Sequence, residues 1–178
     1  MMMPMRCFFG LVLVAGMAAP AAAQSAATGY RDEFLRHFRQ STGKIAALAE
    51  AMPESLYTWS PDEGVMSVAR VYMHIARYNF GYPATSLDIA APPDLDLRTM
   101  EDLTDKQVVL DVFRRSVDHV RMAAERMSDA DLTRMTRLYG REVPAWAVLF
   151  QLLAHMNEHV GQSIAYARMN GVVPPWSQ

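Results

Sequence analysis

The chain is almost without cysteine: among its 178 residues there is one, Cys7. A disulfide scaffold is therefore excluded. It also lacks a basic excess. The 17 Lys+Arg stand against 19 Asp+Glu, for a formal net charge of −2, and no Lys/Arg run occurs, so the electrostatic footprint of a nucleic-acid binder is missing. There is no apolar run of the roughly 20 residues that a membrane-spanning helix needs, no internal repeat, and no convincing alternation of apolar and polar residues of the kind a half-buried strand shows. What is present is a hydrophobic fraction of 51% with well-mixed charge. That composition suits one folded domain with a proper core and excludes a disordered chain.

The first two dozen residues carry a different signal. One positive charge, Arg6, is followed by an apolar stretch from Cys7 to about Ala19 and then by Ala21-Ala22-Ala23. This is the order of a secretory signal, with cleavage expected after Ala23 and export to the periplasm or medium. An uncleaved anchor is the alternative. A lipoprotein is disfavoured because Cys7 precedes the apolar stretch. The expected division is residues 1–23 as signal and 24–178 as the folded domain. The mature domain would hold no cysteine, so any thiol chemistry would need a thiol supplied from outside.

Four helices are predicted, making the fold all-α. Phe34, Phe38, Ser41, Ile45, Leu48 and Met52 are spaced by four and three, one stripe of a helix over 30–52 that Pro53 ends. A second helix is expected over 67–80, with Gly81 and Pro83 as its stop. The third runs over 105–127 on Val109, Val112, Ser116, Val120, Ala123 and Met127. The fourth runs from Pro144, suited to a first helical turn, to Met169, with Asn170-Gly171 as the stop. The long link 81–104 is ample for a crossover between parallel neighbours, which points to a four-helix bundle with a crossover between helices 2 and 3. The apolar tail 172–176 is expected to pack back on the bundle.

Five histidines stand out in this arrangement: His37, His74, His119, His155 and His159. The last two lie one turn apart in the core stripe of helix 4, Val148, Leu152, His155, His159, Gln162, Tyr166. Polar side chains there need polar partners or a metal. Two imidazoles at i and i+4 can each offer a ring nitrogen to one divalent ion, and a third ligand from another helix would complete the set. A pair of core histidines satisfied by hydrogen bonds is the alternative. The segment 155–159 also matches H-x-x-E-H, the inverted zincin pattern, but 160–178 contains no Asp, Glu or His to act as the downstream third ligand. The third ligand must come from upstream. His74, at the margin of the stripe of helix 2, is the best candidate. His119, beside Arg115, Asp118 and Arg121, reads as a solvated face, and His37 as a boundary residue.

At these positions the chain resembles the DinB-like (DinB/YfiT) superfamily of four-helix metalloenzymes. The match is strongest at His155-x-x-x-His159-Val160-Gly161-Gln162 and in the closing 166–175, with its arginine, glycine and double proline. A second match covers 57–61 and 64–68, leading to His74-Ile75. The resemblance implies an up-down-down-up bundle, a homodimer, and a divalent metal, Zn or Ni, held by His74, His155 and His159. It also implies the use of low-molecular-weight thiols. The expected function is thus a metal-dependent thiol S-transferase acting on a small-molecule substrate, with Gln162 lining the pocket or orienting a ligand and Glu158 a hydrogen-bond acceptor behind the site or a solvated charge. A non-catalytic exported metal-binding or dimeric interaction module is the alternative, as is a metal-activated-water hydrolase, for which Glu158 is the only evident general base.

Overall fold

The computed structural model describes residues 21–177. The predicted signal segment lies almost wholly outside them. Four long helices build the molecule: α1 (Ala21–Ala51), α2 (Val68–Ser86), α3 (Lys106–Arg126) and α5 (Trp146–Met169). Between the last two sit a five-residue helix, α4 (Asp129–Thr133), and the strands β1 (Met135–Leu138) and β2 (Arg141–Pro144). Helix α1 packs on α3 and α5, and α2 packs on the same pair, so α1 and α2 face each other across the bundle. This is the up-down-down-up arrangement expected, with residues 87–105 forming the long crossover from α2 to α3.

Each helix forms where its apolar stripe finds a neighbour. The six predicted stripe residues of α1, from Phe34 to Met52, are all buried. So are Val109, Val112, Phe113, Ser116 and Val120 of α3. The starts are capped as the local sequence suggests: the Ser67 side chain accepts from the Arg70 N–H, and the Asp105 carboxylate from the Val108 N–H. The C-terminus of α1 is closed by a cation. Lys106 Nζ donates to the carbonyls of Glu50 and Met52 at 2.9 and 2.7 Å, where the helix dipole favours positive charge. The tail folds back as expected, with Pro174 buried and Lys44 placed 5.9 Å over the Trp176 ring.

Four expectations need correction. Helix α2 does not stop at Gly81; it runs through Pro83 to Ser86. The proline forfeits a single N–H, while Phe80, Tyr82, Pro83 and Ser86 are all buried, and that burial outweighs the lost bond. The helix ends instead where the Pro83 carbonyl takes both the Leu87 and Ile89 N–H groups and Asp88 turns to φ 61°. The fold also contains a β-hairpin that the sequence pattern does not announce. Met135 pairs with Pro144 and Leu138 with Arg141, around a two-residue turn in which Tyr139 (φ 52°) and Gly140 (φ 75°) both adopt positive φ. Pro144 therefore closes a strand, and α5 starts at Trp146, two residues later than expected. Helix α1 begins at Ala21, ahead of the predicted Tyr30.

Candidate metal centre

Two helices bring three histidines together. His155 and His159 project one turn apart from α5, nearly buried at 7% and 8% exposure, and His74 reaches them from α2. The His74 ring lies 5.1 Å from each of the others, and the His155 and His159 rings are 4.6 Å apart, measured between centroids. One nitrogen from each residue can be chosen so that all three lie within 4.8 Å of one another. The triad expected from the sequence is thus assembled in space.

Hydrogen bonds determine which nitrogens face the centre. His159 Nδ1 lies 2.7 Å from Gln162 Oε1, Gln162 Nε2 donates to the Tyr166 hydroxyl at 2.9 Å, and that hydroxyl donates to the Met66 carbonyl at 3.1 Å. The chain has one consistent direction. Tyr166 must give its proton to a carbonyl, so it accepts from the amide NH2, which leaves the amide oxygen to accept Nδ1–H from His159. His159 Nε2 is left with a lone pair. On the other side His74 Nδ1 lies 2.9 Å from Glu101 Oε1, so Nδ1–H donates a hydrogen bond to the carboxylate and His74 Nε2 is left free. Glu101 stands on a single 3-10 turn, Met100–Asp102, in the crossover, where it also accepts from Arg70 Nε at 3.2 Å and Arg77 Nη1 at 3.1 Å.

The donor set fits a divalent ion. The Nε2 atoms of His155 and His159 are 3.2 Å apart. Two imidazole nitrogens on a tetrahedral ion with bonds of 2.0–2.1 Å would be about 3.3 Å apart. The arrangement also suits neutral rings. Burial first, then the neighbouring His159 and His74, push the His155 pKa down to about 4. Burial likewise lowers that of His159, against the opposing hydrogen bond to Gln162. Neutral imidazole is the form a metal requires. Glu101 remains ionised: burial works against it, but hydrogen bonds from His74, Arg77 and Arg70 outweigh burial and hold its pKa low. An ion held by three imidazoles would have room for a further ligand, the donor count of catalytic rather than closed structural sites.

Beside the triad the walls are aromatic. The Tyr78 ring lies 4.8 Å from both His74 and His155, and Tyr82 lies 6.4 Å from His155. The Tyr82 hydroxyl meets that of Tyr139 at the hairpin tip. A cavity of about 260 Å³ opens next to Tyr78 and Tyr82, bounded also by Arg77, Leu97 and Arg98.

The other residues singled out from the sequence separate from this cluster. Gln162 is close, but both ends of its amide are engaged by protein groups, so it orients His159 and Tyr166. Glu158 is exposed and makes no hydrogen bond or ion pair among the described residues. His37 is exposed beside Glu33. His119 is not on a solvated face. It is half-buried, 5.2 Å from the Phe80 ring, and lines a cavity of about 470 Å³ that includes none of the triad. The residue that sequence reasoning missed is Glu101: it lies 27 positions from His74 in an acidic loop, and no periodicity links the two.

The model of the DinB superfamily matches residues 37–163, most of the chain, including all three histidines. None of the curated proteins compared with the chain is detectably similar. Among solved structures, a DinB-like protein from Bacillus cereus superposes with a TM-score of 0.71 at 20% identity, covering 81% of this chain and 95% of its own. The DinB-like protein YjoA from Bacillus subtilis gives 0.64 at 22% identity, with 82% and 97% covered. YfiT from Bacillus subtilis, described as a probable metal-dependent hydrolase with an unusual four-helix bundle topology, gives 0.62 at 14% identity, with 80% and 89% covered. At these identities the superpositions speak for the fold, and they agree with the sequence match. The chain belongs to the DinB superfamily.

Proposed function

We propose that this protein binds one divalent metal ion through Nε2 of His74, His155 and His159 and uses the centre for hydrolysis of a small-molecule substrate. The observation that carries the reading is the convergence of the three ring nitrogens, with the Nδ1–H groups of His74 and His159 already committed to Glu101 and Gln162. A divalent ion held there would supply Lewis acidity, enough to make a water or a thiol nucleophilic near neutral pH. The chain's own part is to keep the His155 and His159 rings neutral by burial, to fix the tautomers of His74 and His159, and to line the approach with Tyr78 and Tyr82. The likeness in fold to YfiT supports hydrolysis as the reaction class.

Thiol S-transfer with an exogenous low-molecular-weight thiol is the second reading, supported by the family resemblance at His155-x-x-x-His159 and by the absence of cysteine after residue 23. Zn and Ni are the metals to test first. Purified protein is expected to carry close to one equivalent of metal and to hydrolyse an activated ester or amide in a chelator-sensitive way. Chelator-sensitive conjugation of glutathione to a model electrophile, without such hydrolysis, would favour the transferase. Stoichiometric metal with neither activity would mark a non-catalytic binding module. Export after cleavage near Ala23 and a homodimer complete the proposal, to be checked by fractionation with N-terminal sequencing and by light scattering.

A further inference from the structure

Arg70, His74 and Arg77 lie at i, i+4 and i+7 on α2, one face of that helix. All three donate to a single carboxylate, Glu101, which arrives from the crossover: Arg70 to Oε2, His74 and Arg77 to Oε1. The side chain of Glu101 is only 14% exposed, although the two guanidiniums that hold it are far more open to solvent. Its turn is anchored by Met100, at 2% exposure, and closed by backbone bonds from Asp102 to Thr99 and from Leu103 to Met100. A surface salt bridge needs none of this burial and contributes little to stability.

We infer that Glu101 is the positioning residue of the metal centre: by accepting a hydrogen bond from the Nδ1–H of His74 it fixes the tautomer and ring orientation of that ligand, and so couples metal affinity to the seating of the α2–α3 crossover. The inference rests on the metal-binding reading above. A histidine ligand is effective when one ring nitrogen is protonated and tied to an acceptor while the other keeps its lone pair, and a carboxylate acceptor also makes the ligand more basic. His74 is the most exposed member of the triad and the only one on α2, so it has the most rotational freedom to lose. Arg70 and Arg77, each donating to the carboxylate, hold it aimed at the ring. Binding and loop seating are then linked in both directions: metal tightens the turn, and the seated turn tightens metal.

The test compares the full chain with Glu101→Ala, Glu101→Gln and the double variant Arg70→Ala/Arg77→Ala, each checked for native far-UV circular dichroism. Zinc affinity is read by competition with a chromogenic chelator, and the His74 tautomer by ¹⁵N chemical shifts in metal-free protein. The expected result is a 10–100-fold loss of zinc affinity in Glu101→Ala, a smaller loss in Glu101→Gln, which keeps an acceptor oxygen, and a mixed His74 tautomer in Glu101→Ala. Zinc should also slow amide exchange over 100–103 in the wild type but not in Glu101→Ala. Wild-type zinc affinity in Glu101→Ala would overturn the inference while leaving the triad intact. So would an equal loss in the double arginine variant with the His74 tautomer unchanged, because loop pinning alone would then account for the effect. A wild-type chain that binds no zinc, nickel or other divalent ion would instead overturn the metal-binding reading itself.

Discussion

His119 and Gln162 show what single polar groups cost and do in this core. His119 Nε2 is sealed from solvent with no partner among the described residues, and burial holds the ring's pKa below its usual 6.5. The charged groups lining the same cavity are Arg126, Asp131 and Arg134. As pH falls, the unfolded chain takes up this proton first. The contribution of His119 is therefore intact above about pH 6.5 and is lost as pH drops through the lower folded value. His119→Phe should flatten the fall of the urea midpoint between pH 7 and 5 relative to wild type; an unchanged slope would contradict the assignment. Gln162 acts on the metal centre from behind. Gln162→Leu preserves bulk but strands the Nδ1–H of His159, and zinc affinity in a chelator competition should fall on the order of 10-fold. At this scale the sequence is most readable where a residue is out of place. His155 and His159 interrupt a stripe that otherwise runs Val148, Leu152, Tyr166, and no apolar environment tolerates them unpaired. Glu101 is out of place nowhere along the chain. It sits among Asp and Thr in a loop, and only the fold makes it a neighbour of His74.

Among the elements, the long helices are legible because their signal repeats: six positions from Phe34 to Met52, in alternating steps of four and three, are all buried. The hairpin 135–144 offers no such repetition. Each strand has four residues and only Leu138 is buried, so there is nothing periodic to read. Its one local cue is Tyr139-Gly140, with both residues at positive φ, and Tyr139 is an unusual occupant of that conformation. Gly140→Ala forces a second non-glycine residue into the left-handed region and should cost about 1–2 kcal/mol in urea unfolding. A variant as stable as wild type would show that the turn relaxes freely. The overrun of α2 through Pro83 has the opposite origin. A strong local stop is present, and tertiary burial of Tyr82 and Ser86 overrides it. That overrun matters to the site, because Tyr82 on the extra turn faces both His155 and the hairpin's Tyr139.

On the scale of the whole molecule, the metal centre bridges parts that the chain order keeps apart: α2, the crossover and α5. An ion that binds only the folded state stabilises it by mass action, by about 2.7 kcal/mol when free metal is 100 times its dissociation constant. For a chain of this size that corresponds to a rise in Tm of roughly 5–10 °C. Zinc should produce such a rise in the wild type and none in a His74→Ala/His155→Ala/His159→Ala variant, as followed by circular dichroism. A rise of the same size in both would place the stabilising ion somewhere other than the triad.

The most direct test of the central claim is the metal content of the full chain and of that triple-alanine variant, purified in parallel and measured by inductively coupled plasma mass spectrometry after equilibration with zinc and nickel. Close to one equivalent is expected in the wild type and none in the variant. Equal metal in both, or none in either, would contradict it.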